Sequence, residues 1–278
     1  MDLLVCLLFG LAIGSFLNVC IARLPNEESI VHPRSHCPKC QKNIAWYDNV
    51  PVLSYLLLNG RCRQCKERIS PRYPAVELLT GAISVLIYLK FGLSLEWAIF
   101  LVFAAALLIL AFIDVDHRIL PDSITLNGIW AGVAVSVFLA MPNPLLKGLL
   151  DHAGFGQLTP RPLSLIDSVA GALVGAGLLW VVGEGYYRIR GVEGMGFGDV
   201  KMMAMVGAFL GVPLALLTIM IGSILGSVIG LVLMKFGGKK RDYEWPFGTF
   251  LSIAGIIALL YGDFLIHWYY VHMIQPAL

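Results

Sequence analysis

The amino-acid sequence predicts an all-α polytopic membrane protein with about eight transmembrane helices and a small cysteine-bearing domain between the first two. Three observations indicate this fold class. Of the 278 residues, 58% are hydrophobic and only 14% are charged, whereas soluble domains carry about 25% charged residues. Apolar runs long enough to cross a bilayer recur along the chain, and four of the six cysteines lie in one sizeable polar segment. The composition therefore excludes a soluble enzyme.

The apolar runs set the number and the positions of the predicted helices, because about 17–25 apolar residues can span the hydrocarbon core. They lie near 2–22, 74–91, 95–114, 123–141, 164–187, 200–214, 215–235 and 248–270. Only Gly211-Val212-Pro213 separates the sixth helix from the seventh. We expect three parts, namely a first helix over 1–22, a cytoplasmic domain over 23–73 and a seven-helix membrane domain over 74–278.

The basic residues predict the orientation of these helices. The first of the twenty lysines and arginines is Arg23, after the first apolar run, and seventeen lie in or beside the segments that would then be inside. Only Lys90, Lys147 and Arg161 lie outside. Because cytoplasmic loops carry an excess of Lys and Arg, we expect a retained first helix with its N-terminus outside. The segment 142–163 is expected to be an external loop.

Two Cys-x-x-Cys pairs in the inside domain predict a metal centre. Cys37 pairs with Cys40 and Cys62 pairs with Cys65. Each pair can present two thiolates to one ion, and the two pairs complete a tetrahedral four-cysteine site typical of structural zinc. A reducing cytosol disfavours two disulfides, and redox-active or idle thiols are the other interpretation. Four thiolates leave zinc no open position, so we expect it to stabilise the domain and not to catalyse a reaction.

Two acidic residues beside apolar segments are the candidate catalytic groups. Asp199 follows a glycine-rich turn, and Asp114 ends the third predicted helix. A carboxylate near hydrocarbon is costly and indicates a function, and one at a helix C-terminus opposes the helix dipole. A helix cap is the structural alternative for Asp199. Asp116 lies on a different helix face from Asp114, and the residues alone do not choose between these two.

Other charged residues near helix ends have structural interpretations. Asp122 is expected to cap the fourth helix, and Glu77 complements the positive end of the second helix. Glu184 can pair with Arg188 one turn later, although a role facing the substrate is the alternative. Lys201 is expected either to favour the ionised form of Asp199, two residues before it, or to bind a lipid phosphate.

The two acids, if they meet, favour aspartic-protease chemistry. Two carboxylates held close together share a proton. The ionised one can then deprotonate water while the protonated one polarises a peptide carbonyl. No motif of a serine hydrolase, zinc protease or P-loop enzyme is present. Two other function classes remain: a proton- or ion-coupled transporter that uses the same acids, and a zinc-stabilised scaffold without chemistry.

The ordered set of motifs resembles the prepilin peptidases, or type IV leader peptidases, which belong to the GxGD class of intramembrane aspartic proteases. The resemblance covers nearly the whole chain. It rests on Gly14-Ser15-Phe16-Leu17-Asn18-Val19 with Arg23-Leu24-Pro25, both Cys-x-x-Cys pairs, Ile69-Ser70-Pro71-Arg72-Tyr73-Pro74 with Glu77, Asp114-Val115-Asp116 with Leu120-Pro121-Asp122, Gly196-Phe197-Gly198-Asp199-Val200-Lys201, and Pro246-Phe247-Gly248.

This resemblance implies that Asp114 and Asp199 are the catalytic pair. It implies removal of the leader from type IV prepilins and type II secretion pseudopilins, which are themselves membrane helices, at the cytoplasmic face of a bacterial inner membrane. It also implies methylation of the new N-terminal amine with S-adenosylmethionine, for which the sequence marks no binding residues. The basic excess of the segment 23–73 indicates membrane lipids as partners and no nucleic acid.

Overall fold

The computed structural model describes residues 1–139, 159–192, 194–236 and 246–274. Within these ranges the fold is helical. The pairing of extended backbone is limited there to two isolated bridges, His36 with Asn43 and Arg61 with Arg68. The chain forms two compact units, Met1–Phe112 and Ile113–Leu278. The predicted all-α class is confirmed, and each unit is considered by itself below.

The first unit is built on two long helices that pack closely. These are α1 (Asp2–Arg23) and α3 (Arg72–Phe91). A Cβ atom on Gly14 of α1 would lie 2.6 Å from the Cα atom of Glu77 on α3. The Ser84 hydroxyl of α3 donates a hydrogen bond of 2.7 Å to the backbone carbonyl of Cys6 in α1. Small residues therefore let the two backbones approach, as is usual between membrane helices.

The segment between α1 and α3 carries the cysteines and has little regular structure. It contains a 3-10 turn over Trp46–Asn49 and the short helix α2 (Leu53–Leu57). The buried guanidinium of Arg23, at the end of α1, donates hydrogen bonds of 2.9 and 2.8 Å to the carbonyls of Ser29 and Pro33. These bonds tie the beginning of the segment to the helix. The helix α4 (Leu95–His117) begins in the first unit and ends in the second.

The second unit is organised around the helix α7 (Phe197–Phe236), which packs against three others. These are α5 (Asp122–Phe138), α6 (Pro160–Arg190) and α8 (Phe247–Tyr269), the last continued by one π-helical turn. The backbones of α6 and α7 approach at two glycines, since a Cβ atom on either Gly171 or Gly207 would overlap the other. These two glycines let α6 and α7 pack closely.

The helix α7 is broken near its middle. Gly211 has φ 75° and ψ 179°, and Pro213 follows two residues later. The break frees the backbone N–H of Val212, which donates a 3.1 Å hydrogen bond to the carboxylate of Asp167 on α6. Asp167 is buried. This carboxylate therefore satisfies one of the unpaired donors at the start of the second half of α7.

The helices agree with the predicted membrane crossings. Six described helices are long and apolar enough to span a bilayer, and α5 is a shorter apolar helix of 17 residues. Because α7 has 40 residues and is interrupted at Gly211, the described ranges hold eight apolar helical segments. The prediction of a multi-pass protein with about eight crossings is confirmed. Most of the expected external loop, residues 142–158, lies outside the described residues.

Several helix ends differ from the predicted ones by a few residues. The largest difference is at α6, which begins at Pro160 instead of 164, and α4 continues to His117 instead of ending at 114. The helix α7 begins at Phe197 and not at 200. The candidate acids therefore lie within the last and first turns of their helices, where the backbone is helical and fixes the direction of each side chain.

Candidate active site and metal centre

Asp114 lies in the last turn of α4 and is only 5% exposed. Its Oδ2 atom accepts two hydrogen bonds from Thr249, of 2.6 Å from the backbone N–H and of 2.9 Å from the hydroxyl. Thr249 is in the first turn of α8, where N–H groups have no partner within the helix and the dipole favours an anion. The N-terminus of α8 thus holds the Asp114 carboxylate and compensates for its unfavourable place at the end of α4.

Asp199 is the third residue of α7 and is 7% exposed. Its backbone N–H donates a 3.1 Å hydrogen bond to the carbonyl of Gly196. The glycine-rich turn therefore folds back on the acid. A carboxylate in the first turn of a helix is favoured by the dipole, so this position is compatible with the structural interpretation as well as the catalytic one.

Gly248 shows that the two carboxylates share one small space. A Cβ atom at this glycine would lie 3.0 Å from Oδ1 of Asp199 and 3.1 Å from Oδ2 of Asp114. Both distances start from one point, so the two oxygens are at most about 6 Å apart. Since water forms hydrogen bonds of about 2.7–2.8 Å to oxygen acceptors, a single water molecule can lie between the two acids.

The structure also separates Asp114 from Asp116. Asp116 is exposed, whereas Asp114 is buried against the N-terminus of α8. Side chains two positions apart on an α-helix point about 200° away from each other. Only one of these two acids can therefore face the space beside Gly248. The structure brings Asp114 and Asp199 together, and it does not bring Asp116 to them.

The other charged residues have local partners. Lys201 donates hydrogen bonds of 2.7 and 2.8 Å to the two carboxylate oxygens of Asp122, which joins the beginnings of α5 and α7. Asp122 is the first residue of α5, and no side chain caps this helix, so the expectation of a cap was wrong. Arg188 donates a 2.8 Å hydrogen bond to Glu184 one turn earlier, as the sequence predicted.

Sequence reasoning did not assign a role to Thr249, Gly248 or Asp167. Gly248 belongs to a motif that the resemblance included, but the sequence gives no sign that it faces Asp114. The one local signal was Pro246 directly before an apolar run, because a proline there marks the start of a helix. The free N–H groups of that start are what Asp114 uses.

The four predicted cysteine ligands form one cluster. The Sγ atoms of Cys37, Cys40, Cys62 and Cys65 all lie within 4.8 Å of one another, and those of Cys37 and Cys65 are 3.8 Å apart. A tetrahedral zinc site with Zn–S bonds of about 2.3 Å requires S–S distances of about 3.8 Å. The donor set and its spacing therefore fit a zinc ion.

Both cysteine pairs adopt the same backbone turn. In the first, the Gln41 N–H donates to the Cys37 carbonyl at 2.8 Å, and in the second the Lys66 N–H donates to the Cys62 carbonyl at 3.0 Å. Gln41 and Lys66 have φ values of 57° and 60°. The backbone N–H groups of Cys65 and Gln64 lower the pKa of the Cys62 thiol to about 7. The turn of the second pair therefore favours the thiolate of Cys62, which is the form that a metal requires.

The fold and the site define a polytopic membrane protein with a buried pair of carboxylates at the ends of two helices and a four-thiol cluster in a separate segment. A family model described as the bacterial peptidase A24 N-terminal domain matches residues 8–91. The model of the type IV leader peptidase family matches residues 101–231. No solved structure matches the chain significantly.

Three similar proteins are each named prepilin leader peptidase/N-methyltransferase. The one from Pseudomonas putida is 37% identical over 91% of this chain and 88% of its own length. Those from Legionella pneumophila and Pseudomonas aeruginosa are 36% and 34% identical, over 94% and 92% of this chain and 92% and 89% of their own lengths. The chain belongs to the type IV leader peptidase family. None of these three relatives bears the name of a transporter.

Proposed function

We propose that this protein removes the N-terminal leader peptide of type IV prepilins and type II secretion pseudopilins and then methylates the new N-terminal amine. The proposal places the protein in a bacterial inner membrane, with its N-terminus outside and its carboxylate pair facing the cytoplasm. It rests on the family, on the names of the relatives and above all on one observation. The carboxylates of Asp114 and Asp199 share the space beside Gly248.

In the proposed cleavage, Asp114 and Asp199 hold one proton between them. The ionised carboxylate accepts a proton from water, which attacks the scissile peptide carbonyl. The protonated carboxylate donates a hydrogen bond to the carbonyl oxygen as charge develops there. Thr249 keeps Asp114 in one orientation through its two hydrogen bonds. Gly248 leaves room for the water and the peptide, because any side chain there would fill the space between the acids.

In the proposed domain organisation, the first helix is followed by a zinc-binding domain over 23–73 and by the peptidase membrane domain over 74–278. Cys37, Cys40, Cys62 and Cys65 would hold the zinc ion. When bound, zinc supplies a rigid link between the two cysteine turns, and a site of four thiolates has no open position for catalysis. The domain has little regular structure of its own. A bound metal would therefore account for its stability.

One assay tests the cleavage. Purified protein is incubated with a prepilin precursor, with and without S-adenosylmethionine, and the products are read by intact mass. We expect loss of the leader in both cases and a further gain of about 14 Da with the donor, the mass of one CH₂ group. Asp114→Asn and Asp199→Asn should each lower the cleavage rate by about 10²–10⁴-fold. Asp116→Asn is the matched control and should cleave like the wild type.

Full processing by either the Asp114→Asn or the Asp199→Asn variant would remove the basis of the proposal. The same outcome would return the acids to the alternatives of ion binding or helix capping. Secretion that continues with both asparagines in place would instead favour a scaffold without chemistry.

A further inference from the structure

The first unit contains a cavity that the proposed cleavage does not use. Its volume is about 390 Å³, within the range of about 300–1,000 Å³ that small-molecule sites have. The ends of α1 and α3 form one wall and the cysteine-bearing segment forms the other, with Asn18, Tyr47 and Glu77 among the lining residues. Neither Asp114 nor Asp199 lines it. Its residues are thus distinct from the carboxylate pair.

Glu77 is a buried acid on the wall of this cavity, only 8% exposed. It accepts a 2.7 Å hydrogen bond from the backbone N–H of Val52, and Ser15 lines the same cavity. The Val52 donor is neutral, and the described part of the chain provides Glu77 with no basic partner. A carboxyl group buried in this way is neutralised either by a proton or by a cationic ligand.

A second acid of the cavity, Asp48, is half-buried and already compensated. Asp48 accepts hydrogen bonds of 2.7 and 2.6 Å from the guanidinium of Arg63. This ion pair holds the pKa of Asp48 below its usual value. The same guanidinium lies 5.6 Å from the ring centre of Tyr47. Glu77 is therefore the buried carboxyl group of the cavity with capacity for a positively charged ligand.

The backbone that meets Glu77 is strained. Val52 has φ 59° and ψ −49°, which is unusual for a β-branched residue. It is the centre of a tight three-residue turn in which the Leu53 N–H donates to the Pro51 carbonyl at 2.5 Å. Backbone strain of this kind clusters at functional sites. Here the turn aims the Val52 N–H at Glu77 and fixes the position of the acid.

We propose that this cavity is the methyl-donor site of the protein and that Glu77 is the base that takes the proton from the amine to be methylated. The inference rests on the proposed methyltransferase function and assigns the site of methyl transfer to this cavity. S-adenosylmethionine carries a sulfonium cation, and the pilin N-terminus carries an ammonium group. Both are attracted to a buried carboxylate and to the faces of aromatic rings such as Tyr47.

The residues of the cavity account for the transfer as follows. The Glu77 carboxylate accepts one proton from the ammonium group, which leaves a lone pair on the nitrogen. That lone pair forms the new N–C bond to the methyl group, and the electron pair of the broken S–C bond stays on the sulfur of the donor. The Val52 N–H keeps Glu77 oriented throughout. The products are the methylated N-terminus, S-adenosylhomocysteine and a protonated Glu77.

The first test uses pilin that already has its mature N-terminus, so that leader removal is not needed. Methyl transfer by purified protein is followed by intact mass, and binding of S-adenosylhomocysteine is measured by calorimetry. We expect Glu77→Gln to lower the rate of transfer at saturating donor by about 100-fold or more. The dissociation constant of S-adenosylhomocysteine and the zinc content of this variant should stay within about twofold of wild type. Glu77→Asp, which keeps a carboxylate, should restore part of the rate.

Glu27→Gln is the matched control, because Glu27 is an exposed acid of the same segment and does not line the cavity. It should transfer methyl groups like the wild type. Undiminished transfer by Glu77→Gln would overturn the role of Glu77. A purely structural role would instead lower zinc content and donor binding together with the rate.

The second test places the donor directly. Radiolabelled S-adenosylmethionine is cross-linked to the wild-type protein with ultraviolet light, and the labelled peptides are identified. We expect label within residues 15–77, with competition by S-adenosylhomocysteine. Label confined to residues 113–278 would overturn the site while leaving the methyltransferase function in place. A wild-type protein that neither binds the donor nor methylates pilin would refute that function itself.

Discussion

Thr249 is the residue that most directly controls the orientation of Asp114. Both of its donors bond to the same carboxylate oxygen, one from the backbone and one from the side chain. The backbone bond belongs to the start of α8 and survives any substitution that keeps the helix. The hydroxyl bond can be removed alone. A substitution at position 249 can therefore change the orientation of Asp114 without removing its carboxylate.

Thr249→Val should lower the rate of leader removal by about 10–100-fold, because a hydrogen bond to a charged group contributes about 1.5–3 kcal/mol. The loss should fall on kcat, since the hydroxyl contacts the acid and not the substrate helix. Thr249→Ser, which keeps the hydroxyl, is the control and should remain close to wild type. Equal rates for both variants would mean that the backbone N–H alone orients Asp114.

Gly248→Ala should abolish most leader removal while the protein stays folded. The added methyl group would lie 3.0 Å from Oδ1 of Asp199 and 3.1 Å from Oδ2 of Asp114, where water has to bind. Gly177→Ala is a suitable control, because a Cβ atom there meets nothing within 4 Å. Cleavage assays and thermal unfolding in detergent provide the readouts. A Gly248→Ala variant with normal cleavage would place the reacting water elsewhere.

Asp114 could be identified as a catalytic candidate from the residues alone, but only the resemblance to a known family selected it over Asp116. The selection depends on the phase of α4, which continues three residues beyond the predicted end and buries Asp114. Helix ends are the least certain part of a prediction from periodicity. The contact with Thr249 joins residues 135 positions apart in the chain, and no local pattern reports such a contact.

At the scale of the elements, the break in α7 is the feature with the clearest origin. Gly211 and Pro213 predicted a boundary between two helices, and the structure confirms it as a positive-φ kink. The sequence did not reveal the role of Asp167. This residue accepts a hydrogen bond from the backbone N–H of Val212, 45 residues later in the chain. An acid in an apolar helix resembles an ion site from sequence alone, whereas here it satisfies the backbone of a neighbouring helix.

Asp167→Ala should lower the stability of the second unit by about 1–3 kcal/mol, because the half-buried Val212 N–H loses its acceptor. Asp167→Asn should cost less, since its side-chain carbonyl can still accept that bond. Gly211→Ala should also destabilise, because φ is positive there and the new Cβ atom would overlap the Asp167 carboxylate. Thermal unfolding in detergent measures all three. An alanine at 167 without effect would show that water replaces the carboxylate.

At the scale of the whole molecule, the chain divides its features between two units. The thiol cluster and the Glu77 cavity belong to the first unit, and the carboxylate pair belongs to the second. The two family models divide the chain in a similar way, at residues 8–91 and 101–231. Composition and charge were enough to predict the crossings. The cavity was not predictable, because it is formed by a strained turn at Val52 meeting a distant helix.

Zinc removal should affect the first unit selectively. We expect about one equivalent of zinc in the freshly purified protein, held by the four thiolates. Cys37→Ser should lose the metal and the order of residues 23–73, because structural zinc contributes about 10–16 kcal/mol to folding in small domains. Cys20→Ser, which changes a buried cysteine of α1 outside the cluster, is the control. Metal analysis and limited proteolysis provide the measurements, and a metal-free wild type with an ordered segment would contradict the assignment.

The length of α5 has a consequence for the surrounding lipid. Its 17 residues extend about 25 Å, several ångströms less than the hydrocarbon thickness of about 30 Å. Acyl chains beside this helix must shorten or tilt to match it, and the cost is shared between protein and bilayer. We therefore expect turnover in reconstituted vesicles to rise as the acyl chains become shorter, which would make the lipid composition of the cell a control on how fast pilins mature.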